Sequence, residues 1–147
     1  MVDEIIILIL GAMLLCCAIQ DLRNKKVTLW VLIIGAVLTV GCLPFAHNLS
    51  IAGRIGGLAV GLAVVLLSKV TEGKIGMGDG ILLCISGLSL GFWCNLELFG
   101  IALLLAAMLS ILLLILRRVN RKQSIPFVPF LFVGYLILFV ASNGSMT

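Results

Sequence analysis

Residues 76–93 read Gly76-Met77-Gly78-Asp79-Gly80-Ile81-Leu82-Leu83-Cys84-Ile85-Ser86-Gly87-Leu88-Ser89-Leu90-Gly91-Phe92-Trp93. Whether this stretch crosses a bilayer decides whether the chain has five spans or six. Its apolar part, Ile81 to Trp93, is about thirteen residues long. A helix needs roughly 20 to cross the ~30 Å of hydrocarbon in a bilayer. The stretch reaches across only if the glycine-rich turn at Gly78-Asp79-Gly80 is itself sunk into the membrane. Irregular backbone at that depth is tolerated where protein or a wet cavity surrounds it. The turn also carries a carboxylate, and a carboxylate at membrane depth is costly enough to imply a function. In a soluble protein a lone Gly-x-Gly-Asp more often marks a loop with a helix-capping Asp. Here the apolar surroundings and a second acidic residue shift the balance.

Those surroundings are extreme. The 147 residues are 63% hydrophobic and 11% charged, with a mean hydropathy of +1.33. A soluble domain is about half apolar and a quarter charged. The composition predicts an all-α, polytopic membrane protein, with residues 1–147 forming one membrane-embedded domain. No polar stretch is long enough to build a separate soluble unit. The net charge of +4 reports orientation in such a protein and does not point to nucleic acid. Five cysteines include no C-x-x-C pair, so neither a zinc site nor a redox motif is predicted. They read as small buried hydrophobes, and His47 as a solvated loop residue. No metal or cofactor is expected.

Working outward, residues 4–20 form a first span. A cleaved signal peptide fits poorly, because acidic residues precede the apolar run and Asp21-Leu22-Arg23-Asn24-Lys25-Lys26 follows it as a charged loop. Val27–Phe45 is a second span, ending in Pro44 and the polar tip His47-Asn48-Leu49-Ser50. Ile51–Val70 is a third, and its Gly53, Gly56, Gly57 and Gly61 read as helix-packing residues. Thr71–Gly80 is the loop that carries the motif. Ile81–Trp93, Glu97–Leu116 and Ile125–Val140 complete a bundle of about six. The first, third and fifth loops then hold nine of the ten Lys and Arg residues, and only Arg54 falls on the other side. By the positive-inside rule those loops are cytoplasmic and both termini extracytoplasmic.

This topology has a chemical consequence. Of the six acidic residues, Asp3, Glu4, Glu72 and Glu97 fall where the chain meets water. Asp21 ends one span and Asp79 begins another, both at the cytoplasmic face. Two carboxylates at one depth can share a proton. The ionised one takes a proton from water and the protonated one polarises a carbonyl, which is aspartic-protease chemistry. No Ser-His arrangement and no metal cluster offers a better hydrolytic set. Asp79 at a helix N-terminus, with Asp21 near a C-terminus, is the expected ionised member.

Gly76-Met77-Gly78-Asp79, with Gly80 following, resembles the G-x-G-D signature of the type IV prepilin peptidases, which are membrane aspartic proteases. Ile81-Leu82-Leu83 and Leu90-Gly91-Phe92-Trp93 are similar to the family's continuation of that helix. Asp21 matches the place of the family's other Asp. Ile125-Pro126-Phe127-Val128-Pro129-Phe130-Leu131, with Gly134 after it, looks like the proline-bracketed segment near the family's last helix. The resemblance implies that Asp21 and Asp79 are catalytic, supported by Gly76, Gly78, Gly80, Pro126 and Pro129. It implies a prepilin or pseudopilin substrate whose short basic leader is removed at the cytoplasmic face of the cell membrane.

The chain departs from the pattern in places. Val27-Thr28 stands where family members often carry Ile-Pro, and Ile81 where they often carry Lys. The amino-terminal region with paired C-x-x-C motifs is not present in this sequence, and nothing reads as a methyl-donor site. The expectation is a peptidase-only form, in contact with lipid and its protein substrate and not with nucleic acid. Two other classes fit a pair of membrane carboxylates: a small proton- or cation-coupled transporter, and an inactive scaffold of a pilus or secretion assembly.

Overall fold

The computed structural model describes residues 2–24, 29–42, 44, 50–71, 76–116 and 126–144. Among them are six helices and no strand. They are α1 (Val2–Asn24), α2 (Leu29–Cys42), α3 (Ile51–Val70), α4 (Met77–Leu90), α5 (Phe92–Ile115) and α6 (Val128–Gly144). The six-helix expectation holds. The basic residues at 25–26, 74 and 117–122, the Val27-Thr28 pair and the His47-Asn48-Leu49 tip lie outside the described residues.

Three helices, α1, α3 and α5, are long and apolar enough to cross a membrane. The others alternate with them and are shorter, at 14, 14 and 17 residues. At 1.5 Å per residue, a 14-residue helix extends only about 21 Å. For α4 the solution is position. It packs against α1, α2, α3 and α5, so its middle, from Gly80 to Ser89, is largely surrounded by protein. The outward faces of the long helices carry bare hydrocarbon. Leu8 is 73% exposed and Ile115 72%, as suits helices whose solvent is lipid.

Several helix boundaries differ from the sequence reading, three of them in ways that bear on the site. α1 runs through Asp21 to Asn24, so Asp21 is a helical residue and not the first residue of a loop. α4 starts at Met77, so Met77-Gly78-Asp79-Gly80 is its first turn and not a loop. The glycines suggest a turn, but glycine is common in membrane helices. α5 starts at Phe92, five residues before Glu97, because the break after α4 is one residue. Gly91 makes it alone, with φ of 82°, a left-handed conformation that glycine adopts without the steric cost other residues bear. The third span matches to the residue. Ser50 caps it with its hydroxyl accepting from the Gly53 amide at 3.1 Å, and the Thr71 amide closes it on the Leu67 carbonyl at 2.9 Å.

Glycine allows a backbone-to-backbone contact between α3 and α4. A Cβ on Gly57 would run into the Gly87 carbonyl, and one on Gly87 into the Gly57 carbonyl. Gly61 lies against the Cys84 backbone in the same way, and Gly56 against Phe92. The packing role read from sequence holds for these three. Gly53 meets only its own cap, Ser50.

A polar clasp sits over the same crossing. Asn95 on α5 is fully buried. Its amide nitrogen donates to the carbonyls of Gly57 and Leu83, both at 3.1 Å, and its oxygen accepts from the Ser86 hydroxyl at 2.6 Å. Three helices thus share one side chain whose hydrogen-bonding groups are occupied. Interhelical hydrogen bonds in membranes average only about 0.6 kcal/mol each. Asn95 therefore specifies the register of α3, α4 and α5 more than it holds them together.

Candidate active site

Asp21 continues the buried stripe of α1. Leu10, Leu14, Cys17 and Asp21 follow the i, i+4, i+7, i+11 spacing of one helix face, and all four are buried. The stripe that packs the helix into the bundle therefore also turns the carboxylate inward at its last turns. Asp79 occupies the corresponding place at the start of α4. It is half-buried in the first turn, with Leu82, Leu83 and Ser86 continuing its face inside the core. Because α1 packs on α4, the two acids come together, and Asp79 lies within electrostatic reach of Asp21.

The glycines around Asp79 serve space and not conformation. Gly76 is the N-cap of α4, in extended backbone, and its carbonyl accepts from the Asp79 amide at 3.2 Å. The Asp79 carboxylate folds back over it. A Cβ on Gly76 would stand 2.7 Å from Asp79 Oδ2, so any side chain there displaces the acid. Gly80 presses on α3, where a Cβ would meet Val65 Cγ2 at 2.6 Å and the Val65 backbone nitrogen at 2.9 Å. Gly78 is in the same first turn, partly exposed.

The proline-bracketed segment arrives at Asp21. Val128, the first residue of α6, donates its backbone N–H to Asp21 Oδ2 at 3.1 Å. Pro126 leads into the helix, and Pro129 sits in its first turn, where a missing N–H costs little. Further along, the Tyr135 hydroxyl donates to the Ile7 carbonyl at 2.6 Å, so α6 is tied to both halves of α1. The α6 contact changes one expectation. Asp21 lies near the C-terminal end of its own helix, yet it also faces the N-terminus of another. The macrodipole no longer distinguishes it from Asp79.

Sequence reasoning misses Asn95. It lies between the apolar run at 81–93 and Glu97, and reads there as part of a connection. Its signal is a lone amide in an otherwise apolar stretch, which in lipid requires partners. Among the described residues no group of three His, Cys, Asp or Glu side chains could hold a metal. A cleft of about 520 Å³, lined in part by Ser50, Gly53, Gly56, Gly91 and Trp93, opens at the other end of α3 and α4, away from both acids.

The fold and this arrangement define a class: a helical membrane protein that brings two carboxylates from separate helices to one end of the bundle. The model of the type IV leader peptidase family matches residues 8–116. The chain belongs to that family, and is accordingly a membrane peptidase acting on a protein substrate. The matched region includes Asp21, Gly76, Gly78, Asp79 and Gly80, and ends before Pro126 and Pro129. No curated protein and no solved structure matches the chain.

Proposed function

We propose that the chain is an aspartic endopeptidase that removes the basic leader from prepilin-like proteins at the cytoplasmic face of the cell membrane. The observation that carries this reading is that α1 packs on α4, with Asp21 in the last turns of the one and Asp79 in the first turn of the other. In the proposed reaction one ionised carboxylate takes a proton from water as the water oxygen bonds to the scissile carbonyl carbon. The second carboxyl group, protonated, donates to the carbonyl oxygen. Collapse of the tetrahedral intermediate breaks the C–N bond: the first acid gives its proton to the leaving amine, and the second, now ionised, takes back a hydroxyl proton as the C=O re-forms. The whole of 1–147 serves as the peptidase domain, with Gly76 leaving room for the Asp79 carboxylate and Gly80 letting α4 close on α3 at Val65. A dyad near the interface suits a hydrolase, since its co-substrate is water.

The test is direct. Purified full-length chain in detergent, given a prepilin with its leader, releases the leader without any methyl donor. When a donor is added, mass spectrometry finds the new amino terminus unmethylated. An intact substrate sinks the peptidase reading, and a methyl group installed by this chain sinks the peptidase-only form.

Orientation is tested separately. Reporters fused after Lys25, within 71–74 and after Arg121 read cytoplasm, and one at Asn48 reads outside. A cytoplasmic signal at Asn48 reverses the proposed face and removes the basis for cleavage there.

A further inference from the structure

An α-helix leaves four N–H groups at its start without partners of its own. In α6 these belong to Phe127, Val128, Pro129 and Phe130. Three of the four can be accounted for. Phe130 turns back to the Phe127 carbonyl at 3.0 Å. Pro129 has no N–H. Val128 donates to Asp21 Oδ2 at 3.1 Å. The task of a helix N-cap is performed here by a side chain 107 residues earlier in the chain. Val128 is fully buried and Asp21 is 8% exposed, so water has little access to this contact.

We propose that the Val128 backbone amide is a positioning device for the reaction: the start of α6 holds the Asp21 carboxyl group in its working orientation. The proposal rests on the reading of Asp21 as catalytic. Val128 acts through Asp21 and need not touch the substrate. A carboxyl group free to rotate about its own bonds spends little time aligned with water and a scissile carbonyl. A donor from a neighbouring helix restricts that freedom. Misplacing a reacting group by an ångström can cost on the order of a hundredfold in rate.

Val128→Pro tests this. It deletes the amide at the first helical position, where proline is otherwise well accommodated. Val128→Ala keeps the amide and measures the effect of lost packing, which is greater for Ala than for Pro. With purified full-length protein and a prepilin substrate, kcat of Val128→Pro falls about tenfold below that of Val128→Ala, with equal KM. Equal kcat in the two variants overturns the proposal and leaves the catalytic reading of Asp21 standing. That reading fails separately if Asp21→Asn retains activity. If Val128→Pro does not accumulate in folded form, hydrogen exchange decides. The Val128 amide stays protected in Asp21→Asn, whose side-chain oxygen still accepts, and exchanges faster in Asp21→Ala. Equal protection in both variants overturns the proposal.

Discussion

Asp21→Asn and Asp79→Asn each lower leader cleavage by at least about 10²–10⁴-fold, the range over which a positioned acid or base contributes. Both variants still insert and fold. Asn has nearly the size of Asp and keeps an accepting oxygen, but has no carboxyl proton to exchange. At position 21 that oxygen still receives the Val128 amide, so α6 stays docked. At position 79 the acid is only half-buried, so exchanging it does not strand a charge or a donor deep in the core. The measurement is initial cleavage rate per folded molecule, with folding checked by detergent gel filtration. Near-parental cleavage by either variant means that the pair does not do the chemistry. The ion-coupled alternative for the two membrane carboxylates then moves ahead.

The second large effect falls on stability. Gly57→Ala destabilises the protein by about 1–3 kcal/mol, as overpacking does when neither side can yield. The new Cβ meets the backbone of Gly87, and backbone cannot rotate away as a side-chain tip can. Gly57→Leu, with three further carbons in the same place, leaves little folded protein. The control is the same change elsewhere. A Cβ on Gly41 or Gly100 meets nothing within 4 Å, so Gly41→Ala and Gly100→Ala are neutral or stabilise by up to about 1 kcal/mol through the unfolded chain. Thermal unfolding in one detergent ranks the four variants. A Gly57→Ala protein as stable as Gly100→Ala would show that α3 and α4 do not cross this closely.

How much of the fold and the site is legible in the sequence differs from residue to residue. α3 is legible because polar residues bracket it: Ser50 and Thr71 supply the caps, and both are visible in sequence. Asp21 and Asp79 are legible as outliers, since an acid beside hydrocarbon needs a reason. The stripe of Leu10, Leu14 and Cys17 that turns Asp21 inward is not legible, because α1 is apolar on every face and only its neighbours select the buried one. The start of α4 is misleading because glycine signals both turns and close helix packing, and only the neighbour resolves which. For Gly80 that neighbour is Val65 on α3. Asn95 and the Asp21–Val128 bond are illegible for a related reason. Each joins elements far apart in sequence, and local pattern carries no information about such partners.

The bond between Asp21 and Val128 also bears on how the protein is made. Helices of a membrane protein are synthesised in order, and this bond spans 107 residues. During synthesis α1 precedes its partner by most of the chain. Both acids and the whole α3–α4 crossing exist before the amide that orients Asp21 has been translated. A nascent chain halted after α5 therefore carries every residue of the proposed dyad and still lacks the contact that aims one of them. Completion of the site coincides with the docking of α6.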